Sequence, residues 1–403
     1  MLNLVKLLAM MAVTVFLLSR KWDLGLILVL NAILAALLFA YPLRDLPLSL
    51  WRGLVAPDTI NLALAVFLVL VLAEVMQRTK AMERLATSLQ ALAPDGRFVV
   101  ALLPLLVGLM PMLGGAMFSA PMVNEVGDTL KLGPNRKTFI NYWFRHSMEY
   151  VFPLYSSLLM IAALLQITVY DFIRVSWPLA LAALAGGTLW GLLGVPAQPH
   201  SRNGQRKLQL WLDLLSGIWP LILVILSVVV LKFNMIFSLL AVVGLALLVW
   251  RVAPRQWPDI ARRSFPIHTF SAIFGVMIFK RVLEDAGAVQ QIPQALSLLG
   301  LPPLLVAFVV PLMVGLLTGV AAATLAISVP LVLPLLSVYA LDSATAGLWL
   351  FVGGFSGILL SPMHLCLTLT REYFGAQWGQ LYRAIIPSVG LVAATALVIV
   401  WMR

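Results

Sequence analysis

Within a long apolar stretch, Arg145-His146-Ser-Met-Glu149-Tyr150 stands just ahead of Pro153. A charged side chain inside a bilayer costs at least about 2.5–3.5 kcal/mol on insertion scales, so such residues usually mark a pathway. Arg145 offers a planar fork suited to a carboxylate or phosphate. His146 and Glu149 are groups that exchange protons near neutral pH once their surroundings tune them. Spaced four apart, Arg145 and Glu149 share a helix face and can equally form a structural ion pair. Farther along, Gly353-Gly-Phe-Ser356-Gly357 leads into Ser361-Pro-Met-His364. Glycines, a Ser-Pro break and one histidine in an apolar span imply a locally unwound helix. His364 there is either a site residue or a hydrogen-bonded core histidine.

Two more stretches, about 98–130 and 301–336, are too broken by Gly and Pro to be simple helices, and each suits a re-entrant hairpin. Backbone left unpaired at membrane depth costs several kcal/mol per group unless protein, water or ligand satisfies it. In Met112-Leu-Gly114-Gly115-Ala-Met-Phe-Ser119 the glycines permit a tight tip, and Pro121 suits the first turn of the returning helix. The free N–H groups of that helix would face an anion. Thr318-Gly319 and Thr324 through Ser328 supply the second tip, whose carbonyls and hydroxyls suit Na⁺ equally well. Close helix packing explains the small residues without any ligand. The expected substrate- and ion-binding set is therefore Gly114, Gly115, Ser119, Asn124, Arg145, His146, Glu149, Thr318, Gly319, Thr324, Ser328, Ser356, Ser361 and His364.

The elements that must position these residues are membrane helices. Of 403 residues, 62% are hydrophobic and 11% charged, and the mean hydropathy is +1.01. Soluble domains carry about a quarter charged residues. Spans are expected near 2–19, 24–41, 59–76, 138–166, 176–194, 209–231, 235–250, 265–280, 345–370 and 384–402. The run Leu2–Leu18 reads as a retained first span, since it lacks a small-residue cleavage site and Arg20-Lys21 follow it. With both broken regions as hairpins, most Lys and Arg fall on one face. That bias makes the face cytoplasmic, in a multi-pass inner-membrane protein. The same bias explains the net charge of +11 without nucleic acid. One cysteine, Cys366, excludes an intramolecular disulfide and a cysteine metal cluster. No metal-ligand spacing, phosphate loop or nucleophile–base motif is present.

The chain also repeats itself. Pro104-Leu-Leu-Val-Gly-Leu109 matches Pro311-Leu-Met-Val-Gly-Leu316 at five of six positions, 207 residues apart. Gln90-Ala-Leu92 answers Gln294-Ala-Leu296, and Pro153 answers Pro362. The fold class expected is an all-α polytopic membrane protein with two inverted-topology repeats, each of five transmembrane helices plus one re-entrant hairpin. The first repeat covers 1–195, a cytoplasmic linker 196–208, and the second repeat 209–403. Inverted repeats with broken helices meeting near the midplane are the architecture of many secondary transporters.

Phe144-Arg-His-Ser-Met-Glu-Tyr-Val-Phe-Pro-Leu-Tyr155 and Gly357-Ile-Leu-Leu-Ser-Pro-Met-His-Leu-Cys-Leu367 resemble the paired signatures of the domain of unknown function 401 family. That family is grouped with the ion transporter superfamily. The resemblance covers essentially the full chain. It implies a fold like that of divalent-anion and citrate transporters: a homodimer, two re-entrant hairpins and elevator-type movement. The sodium-coupled carriers use Ser-Asn-Thr at both tips, and this chain does not, so their sodium sites do not carry over and H⁺ competes with Na⁺ as coupling ion.

The function expected is symport-type secondary transport of a small organic anion of carboxylate type, with the lipid bilayer as the other partner. No organic cofactor, no assigned metal beyond Na⁺ at the tips and no enzymatic activity are expected. Rival readings are a cation/proton antiporter working through Glu149, a lipid-carrier flippase, and an intramembrane enzyme, which lacks the paired acids it would need.

Overall fold

Prolines, glycines and capping side chains decide where these apolar segments become helices and where they stop. The computed structural model describes residues 2–93, 95–109, 115–197, 207–288, 291, 301–339 and 341–403. The chain begins with α1 (Leu2–Ser19), α2 (Leu24–Leu38), α3 (Leu46–Val55), α4 (Pro57–Arg78) and α5 (Ala81–Leu92). It continues with α6 (Gly96–Gly108), α7 (Gly115–Thr129), α8 (Pro134–His146), α9 (Ser156–Leu165) and α10 (Val169–Gly187). After residue 207 come α11 (Lys207–Ile225), α12 (Met235–Val249), α13 (Trp257–Arg263) and α14 (Ile267–Asp285). The last are α15 (Pro303–Thr318), α16 (Ala321–Val332), α17 (Ser343–Leu360), α18 (Leu365–Phe374) and α19 (Trp378–Trp401).

The protein is an all-helical, multi-pass membrane protein. Among the described residues, five helical segments are long and apolar enough to cross a bilayer: Pro57–Arg78, Val169–Leu192, Lys207–Val230, Ser343–Phe374 and Trp378–Trp401. A sixth arises if Pro254–Arg263 and Ile267–Asp285, bent by 56°, act together. Shorter apolar helices such as α2, α9 and α12 lie among them. Polar caps tie the ends down. Asp23 caps α2 through Gly25 N–H and accepts from Ser271 of α14 at 2.7 Å, which ties α2 to α14 across 248 residues of sequence.

Both broken regions are helix pairs. The arms α6 and α7 pack on each other across 109–114, and α15 and α16 turn at Gly319-Val320. Gly319 has φ +62°, a left-handed conformation that glycine adopts without steric cost. Gly114 lies outside the described residues, as do most of the linker 196–208 and the segment 292–300. Pro121 does not open the returning helix: α7 starts at Gly115, and Pro121 sits inside it.

The span expected over 138–166 is not one helix. It ends at His146, turns through residues 147–155 and resumes as α9. Pro153 has no N–H and disfavours helix in the residue before it. Arg145 and Glu149 therefore do not share a helix face. The span expected over 345–370 breaks at Ser361–His364, as the Ser-Pro pair implied. Gly353 and Gly357, by contrast, stay inside continuous α17. A Cβ on them would lie 2.5 Å from Phe308 O and 2.0 Å from Leu312 O, so they let α15 pack backbone to backbone.

Candidate functional site

Each break leaves backbone carbonyls without helical partners, and the side chains that satisfy them build the site. At the end of α6, Arg145 Nη1 donates to Val107 O at 3.3 Å. Tyr155 donates to Gly108 O and, at 3.2 Å, to Arg145 O. At the end of α15, Ser361 donates to Leu316 O at 2.7 Å, and His364 Nδ1 lies 2.8 Å from Gly319 O. Tyr142 and Tyr382 donate to Leu359 O and Leu360 O, the last carbonyls of α17, at 3.0 and 2.8 Å. The same device therefore serves both helix pairs, with polar side chains from the α8–α9 break holding one and those from the α17–α18 break holding the other.

The two breaks meet. His146 Nε2 and His364 Nε2 are 3.1 Å apart, although 218 residues separate them. His146 Nδ1 lies 2.7 Å from Tyr142 O. Glu149 Oε1 is 3.8 Å from His146 Nε2. The Arg145 guanidinium lies against the first residue of α7, where a Cβ on Gly115 would meet Nη1 at 2.4 Å. Arg145 and His146 are only 7% and 4% exposed. Tyr142, Tyr150 and Phe355 enclose the cluster with their rings.

Beside it runs a buried polar chain. Ser119 donates to Asn141 Oδ1 at 2.7 Å, and Asn141 Nδ2 donates to Ala116 O at 3.0 Å and Thr370 Oγ1 at 3.3 Å. These bonds join α7, α8 and α18. At the second tip the Thr318 and Thr324 hydroxyls are 3.1 Å apart, and Thr324 also donates to Val320 O.

Of the residues expected from sequence, Gly115, Arg145, His146, Glu149, Gly319, Ser361 and His364 are brought together at the meeting of the breaks. Ser119, Thr318 and Thr324 line the adjoining tips. Ser328, one turn beyond Thr324, is buried with its hydroxyl unpartnered among the described residues. Ser356 is buried within α17. Asn124 is placed apart: it accepts from Lys137 Nζ at 2.8 Å, about 12 Å along α8 from Arg145 at 1.5 Å per residue. Asn141, Tyr142, Cys366 and Thr370 were missed. Asn141 sits one turn before Arg145, a signal available in the sequence. Cys366 was read only as excluding a cysteine cluster, yet its sulfur and the two imidazoles have ligand atoms within 4.8 Å of one another.

A large cavity lies elsewhere. About 790 Å³ lies between α4, α9, α10 and the α11–α12 turn, lined by Asp58, Gln166, Asp171, Arg174 and Lys232 among others. The histidine cluster itself is closed in by protein except around Glu149, His364 and Cys366, which are part-exposed.

Broken apolar helices packed around a buried polar centre define a polytopic membrane protein with a transporter-like fold. The chain belongs to the family described as protein of unknown function DUF401, which it matches over residues 3–402. It is similar in fold to the YdaH transporter of Alcanivorax borkumensis, with a TM-score of 0.68, 14% sequence identity, and coverage of 94% of this chain and 98% of that one. No curated protein matches the sequence.

Proposed function

We propose that this protein is a secondary active transporter of a small organic anion, built from two inverted repeats and coupled to H⁺ or Na⁺. The observation that carries the reading is the meeting of the two interrupted spans, through His146 and His364 at 3.1 Å, against the turn regions of both helix pairs. The described residues of α7 begin at Gly115, and a helix start at this tip would turn its first N–H groups and the positive end of its dipole toward a ligand. Arg145 adds a full charge against the same residue, Gly115. A carboxylate is the ligand that such a fork and such an N-terminus favour.

The repeat architecture is supported by the order of elements. From α1 to α10 the chain runs two helices, a short helix before a longer one, the connector α5, a helix pair, a broken span and a final helix; from α11 to α19 that order recurs except for α5, which has no counterpart among the described residues. With five spans and one hairpin in each copy, the copies lie upside down to one another, and movement of the hairpins and broken spans against the rest exposes the centre to either side. Homodimerisation and an inner-membrane location with basic loops inside belong to the same proposal. A cation/proton antiporter is the alternative that one contact favours, Glu149 beside His146.

The test is thermal unfolding of purified protein with di- and tricarboxylates, phosphate esters and Na⁺. A ligand at 100 times its Kd stabilises the folded state by about 2.7 kcal/mol. The shift should vanish in Arg145→Ala and persist in Arg174→Ala, each measured against its own ligand-free baseline. Equal loss in both, or loss only in Arg174→Ala, would remove the anion from Arg145, the latter result placing it in the 790 Å³ cavity.

A further inference from the structure

We infer that His146, His364 and Cys366 form a binding site for a zinc-class divalent cation, with Glu149 as fourth ligand. The argument starts from hydrogen-bond roles. Each Nδ1 faces a backbone carbonyl, Tyr142 O at 2.7 Å and Gly319 O at 2.8 Å. A carbonyl only accepts, so each Nδ1 carries the proton, and each neutral ring has its lone pair at Nε2. Those two lone pairs point at one another across 3.1 Å. An electron-pair acceptor belongs between them.

The surroundings favour a metal ion over a lone proton. Zinc–nitrogen bonds of about 2.0–2.1 Å at a tetrahedral angle put two imidazole nitrogens roughly 3.3 Å apart, close to the observed spacing. The Cys366 sulfur stands within 4.8 Å of a ring nitrogen of each histidine, and the Glu149 carboxylate is 3.8 Å from His146 Nε2. A shared proton would give neither residue a task. Imidazole with thiolate is the donor set that selects zinc and its neighbours over Mg²⁺, Ca²⁺ or Na⁺. Metal-bound histidines almost always donate their other N–H to a carbonyl or carboxylate, and both do so here before any ion is bound. The charges close as well: one thiolate and one carboxylate neutralise a 2+ ion, and the thiol proton leaves to solvent on binding. The part exposure of His364 and Cys366 supplies the access route. Bound there, the ion joins the α8–α9 break to the α17–α18 break. The site stands independently of whether the protein carries anions.

The experiment uses full-length protein, freed of its affinity tag and stripped with chelator, titrated with Co²⁺ and then with Zn²⁺. One equivalent of Co²⁺ should produce visible absorption of a tetrahedral site and a near-ultraviolet sulfur-to-cobalt band, and Zn²⁺ should bleach both. Cys366→Ser should lose the sulfur band. His146→Ala and His364→Ala should weaken binding by at least the roughly 10–100-fold that even outer-shell losses cost. Asn124→Ala, whose amide is bonded to Lys137 well away from the cluster, should leave the spectrum unchanged. Monodisperse elution and a metal-free unfolding curve show that each variant is folded. Absence of the spectrum in folded wild-type protein, or a spectrum indifferent to Cys366→Ser and His364→Ala, overturns the proposal.

Discussion

Gly319→Ala is the substitution whose cost the structure divides most cleanly. Two penalties act there. Holding alanine at φ +62° costs roughly 1–2 kcal/mol, because Cβ crowds the backbone in the left-handed region. The new Cβ would also stand 2.8 Å from His364 N and 2.9 Å from Met363 C. These are backbone atoms that cannot swing aside, and overpacking of this kind costs about 1–3 kcal/mol. The total is about 2–5 kcal/mol. Gly375 isolates the first penalty, since it has φ +68° and nothing within 4 Å of its Cβ position. Gly375→Ala should therefore cost only about 1–2 kcal/mol. The assay is unfolding of detergent-solubilised protein by denaturant, followed through its 12 tryptophans. Equal destabilisation by the two substitutions would refute the packing of the second tip on the α17–α18 break.

Tyr155→Phe removes the donor to Gly108 O and Arg145 O; with both carbonyls buried, stability should fall by about 1–3 kcal/mol in the same assay. Asp342, just ahead of α17, is pushed up by its partial burial, but Thr345 and Arg403 outweigh this and hold it below the ordinary carboxylate value. A depressed carboxyl stabilises the fold above its unfolded value of about 3.9 and loses that contribution as pH falls through the folded value. Asp342→Asn keeps the helix cap and removes the charge. It should cost about 0.2–1 kcal/mol at pH 7, as expected for a half-exposed pair, and nothing once the wild-type carboxyl is protonated. A pH series of unfolding midpoints for the two proteins checks this.

What the sequence made legible was local. Glycine and proline at 98–130 and 301–336 announced the helix pairs because those residues act on their own backbone. Ser361-Pro362 announced the second break for the same reason. The first break was hidden: 147–155 holds no glycine, and Pro153 alone hinted that α8 would stop at His146. The pairing of Arg145 with Glu149 failed with it, since i,i+4 spacing has meaning only inside a helix. Asn124 shows a different limit. Its place after the first tip suggested the cavity, but its amide oxygen accepts from Lys137, which also pairs with Asp128. Cys366 and Thr370 were out of reach because they meet His146 and Asn141 across more than 200 residues, and helical periodicity does not say which faces meet. His146 and His364 were each found singly, as polar residues in apolar spans; their contact was not.

The account rests on the two copies lying upside down to one another, so that their breaks converge within the lipid. In a Cys366→Ser background, single cysteines at Lys131, after the first helix pair, and at Leu341, after the second, occupy corresponding loops. Labelled in intact cells with a membrane-impermeant maleimide, Leu341→Cys should react while Lys131→Cys reacts only after the membrane is opened. Labelling of both from the same side would contradict the inverted arrangement, and the midplane site would fall with it.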